Sequence, residues 1–285
     1  TILGPGLLGG SLALALKART DAHVTVWARR AGSAADARRC ADATTCDLAE
    51  SVKDTGVVVF ATPVGAMGPL ARAIAPALQP GALVMDVGSV KACVVSELAP
   101  VFAGRARFIG CHPMAGSEQT GLAAARADLF DGAMCILTPD ADTPRDTTAD
   151  ADAFWRSVGC LTRTLAPDEH DRAVAWISHL PHLVAAALVQ AVADHEPGAF
   201  DFCGPGFRDT TRVASGPPEM WTEILGQNNA AVRDAVDGLI EKLRALSTLL
   251  ASAPPAERDA SMHRLLNQAK AQRDRLRLPR TSSDA

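Results

Sequence analysis

One histidine stands on a turn whose other residues are mostly small. Residues 110–121 read GCHPMAGSEQTG, so His112 directly precedes a proline, and Ser117 and Glu118 follow at the fifth and sixth positions after it. A structural turn uses glycine or proline but has no need of an imidazole, the side chain that titrates near neutral pH. The spacing therefore indicates a chemical role for His112.

Three further stretches carry side chains suited to the same site. The stretch at 86–91 and the histidine turn fall at the ends of predicted strands, where open parallel sheets bind ligands. The stretches at 178–182 and 204–212 fall in the predicted helical half. A cleft with imidazoles, hydroxyls and guanidinium groups suits a small anion that carries a hydroxyl to be oxidised. The stretches are DVGSVK at 86–91, with Ser89; SHLPH at 178–182, with Ser178, His179 and His182; and GPGFRDTTR at 204–212, with Arg208 and Arg212.

Each of these side chains also has a purely structural interpretation. Ser89 is a suitable helix cap, and His179 and His182 suit buried positions near the start of an apolar helix. Arg208 and Arg212 suit local ion pairs with neighbouring carboxylates. Because all the stretches occur in one chain in this order, the sequence favours a joint site.

The chain opens on a predicted strand, a glycine turn and a helix. GPGLLGG gives Gly4, Gly6 and Gly9 the GxGxxG spacing, with Leu7 and Leu8 between the last two. The first glycine permits a tight turn, the second lets the backbone approach a pyrophosphate, and the third lets helix and strand pack closely. Because a helix N-terminus presents unpaired amides to an anion, the loop predicts a dinucleotide site.

The end of the second predicted strand bears on the choice of dinucleotide. An acidic residue there would hold the ribose hydroxyls of NAD, but the strand ends VTVWARR. Arg29 and Arg30 suit a ribose phosphate, because guanidinium groups bind phosphate in bidentate fashion. We therefore expect NADP as cofactor, with NAD as the alternative and two ordinary exposed arginines as the structural interpretation.

Hydrophobic periodicity divides the chain into two halves. Up to about residue 138, nearly continuous apolar strands alternate with alanine-rich helices, the signature of a parallel sheet covered on both faces. Residues 139–152 are polar and proline-bearing, and predict a long exposed loop. Beyond residue 168 only helices are predicted. We expect a Rossmann-type α/β dinucleotide-binding domain over 1–165 and an all-helical domain over 166–285.

An apolar stripe in the helical half indicates a helix partner. The stripe recurs at alternating steps of four and three, the spacing of a helix that packs along another at a shallow angle. This favours a homodimer through the helical domain, with an internal bundle as the alternative. Its residues are Val232, Val236, Leu239, Leu243, Leu246 and Leu250.

Composition limits the class of protein. Of the 285 residues, 48% are apolar, which is enough to form hydrophobic cores. The formal charge of -4 does not favour binding of nucleic acid. Seven cysteines without CxxC pairs or zinc spacing favour reduced thiols in the cytoplasm and no metal site. No signal peptide opens the chain, and the most apolar run, 183–193, is shorter than a membrane span, so we expect no membrane partner.

Five ordered blocks resemble the prephenate and arogenate dehydrogenase family over essentially the whole chain. The resemblance implies a Rossmann-type domain, a helical dimerisation domain and an active site between them. It also implies an oxidoreductase that acts on a CH–CH donor. The implied reaction is the NADP- or NAD-dependent oxidative decarboxylation of prephenate or arogenate to 4-hydroxyphenylpyruvate or tyrosine. The blocks are GPGLLGGSLALAL, GSVK, HPMAGSEQTGLAAARADLFDGAMCILTP, DEHDRAVAWISHLPH and GPGFRDTTRVASGPPEMW.

The resemblance implies roles for single residues. His112 is the implied catalytic imidazole, which accepts a hydrogen bond from the ring hydroxyl of the substrate, and Ser89 is implied to orient it. Arg212 is implied to bind the ring carboxylate, with support from Arg208. The other implied residues are Gly116, Ser117, Glu118, Ser178 and His182 in the substrate pocket, and Thr62 and Pro63 in the ATPV loop on the cofactor side.

A neutral imidazole base predicts that activity falls as the pH drops below its pKa, roughly 6.5 in an ordinary setting. Two other interpretations stand beside this one. The first is a β-hydroxyacid dehydrogenase, a family whose members share a catalytic lysine on a helix of the second domain. This sequence has no lysine between Lys91 and Lys242, which counts against that interpretation. A non-catalytic nicotinamide-binding regulator would need the cofactor site but neither the imidazole nor the arginines.

Overall fold

The computed structural model describes residues 1–116, 119–252 and 254–276, and its first half contains one eight-stranded sheet. The strands are β1 (Ile2–Leu3), β2 (Thr25–Trp27), β3 (Ala43–Thr45), β4 (Val57–Phe60), β5 (Leu83–Asp86), β6 (Arg107–Pro113), β7 (Met134–Thr138) and β8 (Leu161–Thr164). Their order is β3-β2-β1-β4-β5-β6-β7-β8. All neighbours run parallel except β6 and β7, which are antiparallel.

Six helices accompany the sheet and bury its two faces in separate apolar cores. Successive residues of β4 alternate between these cores, with Val59 in one and Val58 and Phe60 in the other. Burial on both faces explains why the strands are nearly continuous apolar runs. The helices are α1 (Leu7–Arg19), α2 (Ala31–Ala37), α3 (Leu48–Val52), α4 (Val64–Ile74), α5 (Ala92–Phe102) and α6 (Arg145–Ser157). The predicted Rossmann-type fold is confirmed.

The sequence prediction was wrong about the long loop at 139–152, and it missed β3 and β8. Most of that segment belongs to α6, in which Thr147, Ala151 and Trp155 are buried at a spacing of four residues. The polar residues that suggested a loop form the solvent face of this amphipathic helix. The two missed strands lie at the edges of the sheet, and neither contains a continuous buried run.

The described part of the second half is helical. It comprises α7 (Pro167–Val174), a π-helical segment (Ala175–His179), α8 (Leu180–His195), α9 (Pro205–Thr211), α10 (Pro218–Gln227), α11 (Asn229–Ser252) and α12 (Pro255–Asp274). Short 3₁₀ segments span Pro197–Phe202 and Arg212–Ser215. The domain boundary between residues 165 and 166 stays a prediction.

From α7 to α8 the chain forms one helix of 29 residues, Pro167–His195, which is long and apolar enough by composition alone to cross a membrane. The sequence prediction was therefore wrong about the length of the apolar segment here. Within this helix, His170 and Asp171 are buried and hydrogen-bonded to the sheet domain. These contacts join the start of the helix to the sheet domain, while 33% of its most apolar window is buried.

The apolar stripe of α11 has a buried part and an exposed part. Val232 is buried and packs with Ala175 and Leu180 in the core of the helical half. Leu243 and Leu250, further along the helix, are 55% and 61% exposed. The first turns of α11 therefore pack inside the helical half, and the later turns expose apolar side chains to solvent in the single chain.

Candidate active site

His112 lies near the carboxyl end of β6, where the sheet meets the helical half. Its side chain is buried, and its Nδ1 lies 2.8 Å from Nε2 of His170 on α7. Nδ1 of His170 in turn lies 2.7 Å from Oδ1 of Asp171. A carboxylate and two imidazoles therefore form one buried, hydrogen-bonded chain between the two halves of the protein.

Asp171 is held by the start of α5. The backbone N–H groups of Lys91 and Ala92 donate to its two oxygens over 2.7 and 2.9 Å, so the carboxylate lies at a helix N-terminus. Burial raises the pKa of Asp171, but the hydrogen bonds from His170 and the two amides outweigh burial and bring the pKa below its usual value. Asp171 is therefore an anion at neutral pH.

His112 and His179 both have pKa values below the usual value of a histidine. Burial is the main cause that holds the pKa of His112 well below 6.5, and repulsion from Lys91, and from His170 or His179 whenever either carries a proton, acts in the same direction. Burial also lowers the pKa of His179 to about 4. His112 is therefore neutral at pH 7 and able to take up a proton from a bound reactant.

The loop after β5 is fixed by a buried ion pair. Nζ of Lys91 and Oδ2 of Asp86 are in direct contact, and both side chains are fully buried. Asp86 also accepts hydrogen bonds from the N–H groups of Gly88 at 2.8 Å and Cys111 at 3.0 Å. Because several donors satisfy the carboxylate, burial of the charges is offset and the GSVK loop is tied to β6.

The smaller residues predicted for the substrate pocket have definite positions. Ser89 is half-buried in the loop after β5, and Ser178 is half-buried in the π-helical segment. Gly116 has a φ of +140°, a conformation that favours glycine. Within the described ranges no hydrogen bond joins Ser89 to the imidazole of His112, so its orienting role stays a prediction. Ser117 and Glu118 lie outside the described residues.

His182 on α8 lies against an indole. Its ring stacks on that of Trp221 with centroids 3.7 Å apart and 12° between the planes. Burial lowers the pKa of His182, against an opposing backbone interaction with Val213. Nδ1 of His182 is buried and has no hydrogen-bond partner among the described residues. An unpaired buried nitrogen is costly, so this atom fits a position that a ligand satisfies.

The two predicted arginines lie in the helical half. Arg208 is exposed on α9, and Arg212 begins the 3₁₀ segment Arg212–Ser215, which packs on α8. Each guanidinium group offers several N–H donors in one plane, a geometry that matches a carboxylate. The structure therefore places the predicted cation on the helical domain and His112 on the sheet domain.

The glycine turn has the geometry expected of a dinucleotide loop. Gly4 has a φ of +113°, and a Cβ there would lie 2.6 Å from the carbonyl oxygen of Ala61. A Cβ on Gly9 would collide with the carbonyl oxygen of Gly4, whereas one on Gly6 would meet nothing within 4 Å. Open space therefore lies in front of Gly6, at the N-terminus of α1, where a pyrophosphate fits.

A cavity of about 490 Å³ adjoins this loop. Oγ1 of Thr62 is buried and has no hydrogen-bond partner in the described part of the chain, which fits a polar contact to a cofactor. A second cavity, of about 540 Å³, lies by Thr1 and His23 at the amino ends of β1 and β2, away from these residues. The lining of the first cavity includes Trp27, Arg29, Arg30, Ser33, Thr62 and Pro63.

Sequence reasoning assigned no role to several residues that the structure brings to the site. The stretch DVGSVK and two of the family blocks contained all but one of them, but the spacing within each gave no indication of what they contact. The exception is Asn228, whose Nδ2 donates to the backbone oxygen of Asp171 over 2.8 Å. The residues are Asp86, Lys91, His170, Asp171, Trp221 and Asn228.

Two family models match the chain. The model described as the nucleotide-binding domain of prephenate dehydrogenase matches residues 12–163, and that of its dimerization domain matches residues 166–268. This chain belongs to the prephenate dehydrogenase family. The family, the enzyme class and the two-part fold that the sequence predicts are confirmed, and the cofactor is a nicotinamide dinucleotide.

Relatives resemble the chain over nearly its full length. The cyclohexadienyl dehydrogenase of Zymomonas mobilis is 34% identical over 258 residues, which cover 88% of each chain. The prephenate dehydrogenase of A. aeolicus, solved with hydroxyphenyl propionate and NAD+, has a TM-score of 0.87 at 29% identity, covering 95% of this chain and 96% of that chain. The arogenate dehydrogenase of Synechocystis has a TM-score of 0.82 at 33% identity, covering 96% and 98%.

Proposed function

We propose that this chain oxidises and decarboxylates prephenate or arogenate, to 4-hydroxyphenylpyruvate or tyrosine, with His112 as the base. The observation that carries the proposal is the buried imidazole near the carboxyl end of β6, bonded through Nδ1 to the helical half. Because its pKa is held well below 6.5, His112 is ready to accept a proton at neutral pH.

The substrate class is a cyclohexadienyl ring that carries a hydroxyl and a carboxylate. His112 accepts the hydroxyl proton while the carbon that bears it loses hydride, and carbon dioxide leaves from the opposite ring position as the ring becomes aromatic. A bound nicotinamide supplies the hydride acceptor. Because aromatisation drives the reaction, the protein mainly positions the ring and polarises its hydroxyl.

The helical half supplies the anchors for the substrate. Arg212 binds the ring carboxylate through charge-assisted hydrogen bonds, and Arg208 supports it. Nδ1 of His182, unpaired among the described residues, contributes a further polar contact. We also assign Ser89, Gly116, Ser117, Glu118 and Ser178 to the pocket, from the family resemblance.

A spectrophotometric assay tests the activity. The protein is incubated with prephenate or arogenate and with NADP or NAD, and the absorbance of the reduced cofactor is followed together with released carbon dioxide. We expect one carbon dioxide for each cofactor reduced. No reduction with either substrate and either cofactor would contradict the proposal.

The activity is expected to persist at more acidic pH than an ordinary histidine would permit. His112 must be neutral to accept a proton, and burial first, then repulsion from protonated His170, Lys91 and protonated His179, lower its pKa. The acid limb of kcat/KM is therefore expected well below pH 6.5, the value that the sequence predicts for an unperturbed imidazole. A limb centred near pH 6.5 would contradict this assignment.

Acid also affects the stability of the fold, so unfolding must be measured at each pH at which kcat/KM is measured. In the unfolded chain the histidines take up protons near pH 6.5, whereas in the folded chain the pKa values of His112, His179 and His182 are lowered. Their contribution to stability is complete above the unfolded pKa and is lost as the pH falls from there toward the folded pKa values. Thermal melts at each pH separate loss of fold from loss of base.

NADP is the cofactor that we propose. Arg29 and Arg30 lie at the cavity beside the glycine loop, directly after β2, and Ser33 on α2 adds a hydroxyl to the same lining. Two guanidinium groups and a hydroxyl suit a ribose phosphate, which carries oxygens for several charge-assisted hydrogen bonds.

Arg29→Ala is expected to raise the KM for NADP about tenfold and to change the KM for NAD by less than about threefold. The reason is that only NADP carries the phosphate that the guanidinium contacts. Initial rates with both cofactors measure the change. Arg145→Ala, at an exposed position on α6, is the matched control, and equal effects of Arg29→Ala on both cofactors would contradict the proposal.

We propose further that the enzyme is a homodimer through its helical half and acts in the cytoplasm. The match of residues 166–268 to a dimerization domain supports the dimer, as do the exposed Leu243 and Leu250 on α11. All seven cysteines lie in the described residues and are free thiols, as a reducing compartment favours. Sedimentation equilibrium tests the dimer, and a monomer at micromolar concentration would contradict it.

A further inference from the structure

The hydrogen-bonded chain behind His112 has a direction, and it starts at Asp171. An ionised carboxylate has no proton to donate, and Asp171 already accepts from the N–H groups of Lys91 and Ala92. The contact of 2.7 Å between Asp171 and His170 Nδ1 is therefore made by a proton on His170 Nδ1.

The hydrogen bond between His170 and His112 has a direction as well. A neutral imidazole with its proton on Nδ1 has a lone pair on Nε2. Nε2 of His170 is then the acceptor in the 2.8 Å contact with His112, and Nδ1 of His112 is the donor. This leaves Nε2 of His112 unprotonated, as a base requires.

We propose that His170 and Asp171 are positioning residues that hold His112 in the Nδ1–H tautomer and so direct the basic Nε2 toward the substrate hydroxyl. The proposal rests on the proposed role of His112 as the base. Asp171 suits the task because two backbone amides of α5 fix its carboxylate and Nδ2 of Asn228 holds its backbone oxygen. Asp171, the fixed end of the hydrogen-bonded chain, therefore lies at the interface between the two domains.

The arrangement also serves the charged state that the reaction creates. The proton of the substrate hydroxyl goes to Nε2 of His112, and the proton on Nδ1 stays in its bond to His170. The resulting imidazolium donates to Nε2 of His170, whose other nitrogen is bonded to the Asp171 anion. A charge-assisted hydrogen bond is stronger than a neutral one, so the chain stabilises His112 after it has taken up the proton.

Two variants of His170 separate this role from simple packing. His170→Phe keeps a ring in the cavity but removes the acceptor for Nδ1 of His112. His170→Gln offers an amide oxygen to the same donor and an amide N–H to Asp171. We expect His170→Phe to lower kcat roughly 100- to 10,000-fold, as loss of the correct tautomer does, with a KM within about threefold of the original. His170→Gln is expected to recover kcat to within about tenfold.

Nitrogen NMR of the full-length protein with isotope-labelled histidine reads the tautomer directly, because a protonated ring nitrogen and a bare one have distinct shifts. We expect the Nδ1–H form of His112 in the original protein and in His170→Gln, and the Nε2–H form in His170→Phe. His23→Phe, at an exposed position before β2, is the control and should change neither the tautomer nor kcat.

The outcomes distinguish this inference from the proposed function. An Nε2–H tautomer of His112 in the original protein overturns the inference, and so does full turnover of His170→Phe. If His170→Phe does not fold, the tautomer of the original protein and the turnover of His170→Gln decide. Full turnover of His112→Asn would instead overturn the role of His112 itself.

Discussion

His112→Asn is expected to lower kcat about 100- to 10,000-fold, the range that a general base contributes. The imidazole is neutral, buried and bonded at Nδ1, so its other nitrogen is the atom left for the substrate hydroxyl. Asparagine is polar and similar in reach but cannot take up a proton at neutral pH. Steady-state rates with a saturating cofactor measure the loss.

Two controls locate the effect of His112→Asn in the chemical step. The affinity for cofactor, measured by fluorescence titration, should be unchanged, because the cavity lined by Arg29 and Thr62 is separate from His112. His23→Asn, at an exposed histidine before β2, should keep full turnover. A kcat of His112→Asn within about threefold of the original would exclude the imidazole as the base.

Arg212→Ala is expected to raise the KM for substrate about 10- to 150-fold while kcat falls by less than about threefold. The proposed contact is a charge-assisted hydrogen bond to the ring carboxylate. That carboxylate is held in the same way until carbon dioxide leaves, so the contact serves binding more than the transition state.

A conservative variant tests the geometry of this contact. Arg212→Lys keeps the charge but loses the planar pair of donors, so its KM should lie between those of the original and Arg212→Ala. Arg145→Ala, on the exposed face of α6, is the matched control in the other domain. An unchanged KM for Arg212→Ala would remove Arg212 from the substrate site.

The central strands and the glycine loop could be predicted because their causes are local. Strands such as β4 are buried on both faces and so read as unbroken apolar runs. Gly9 packs against the carbonyl of Gly4, five residues away in the sequence. The α6 helix was missed because its buried residues are Thr147, Ala151 and Trp155, and the polar residues between them resemble a loop.

The candidate site could be predicted only in part, for a different reason. The types of residue and the order of the sequence blocks singled out His112. Its partner His170 lies 58 positions away, and the two meet only because α7 packs against α5 and β7, the elements that flank β6 in the chain. No helical or strand periodicity encodes such a contact. The low pKa of His112 was also missed, because it results from burial between two domains.

A crystal structure of the protein with NADP and hydroxyphenyl propionate would test the central claim most directly, which is that His112 faces the ring hydroxyl of the substrate. We expect Nε2 of His112 within about 2.6 to 3.2 Å of the phenol oxygen, with Nδ1 still bonded to His170. A phenol oxygen bound elsewhere, or a His112 ring turned so that Nδ1 faces the ligand, would contradict the account.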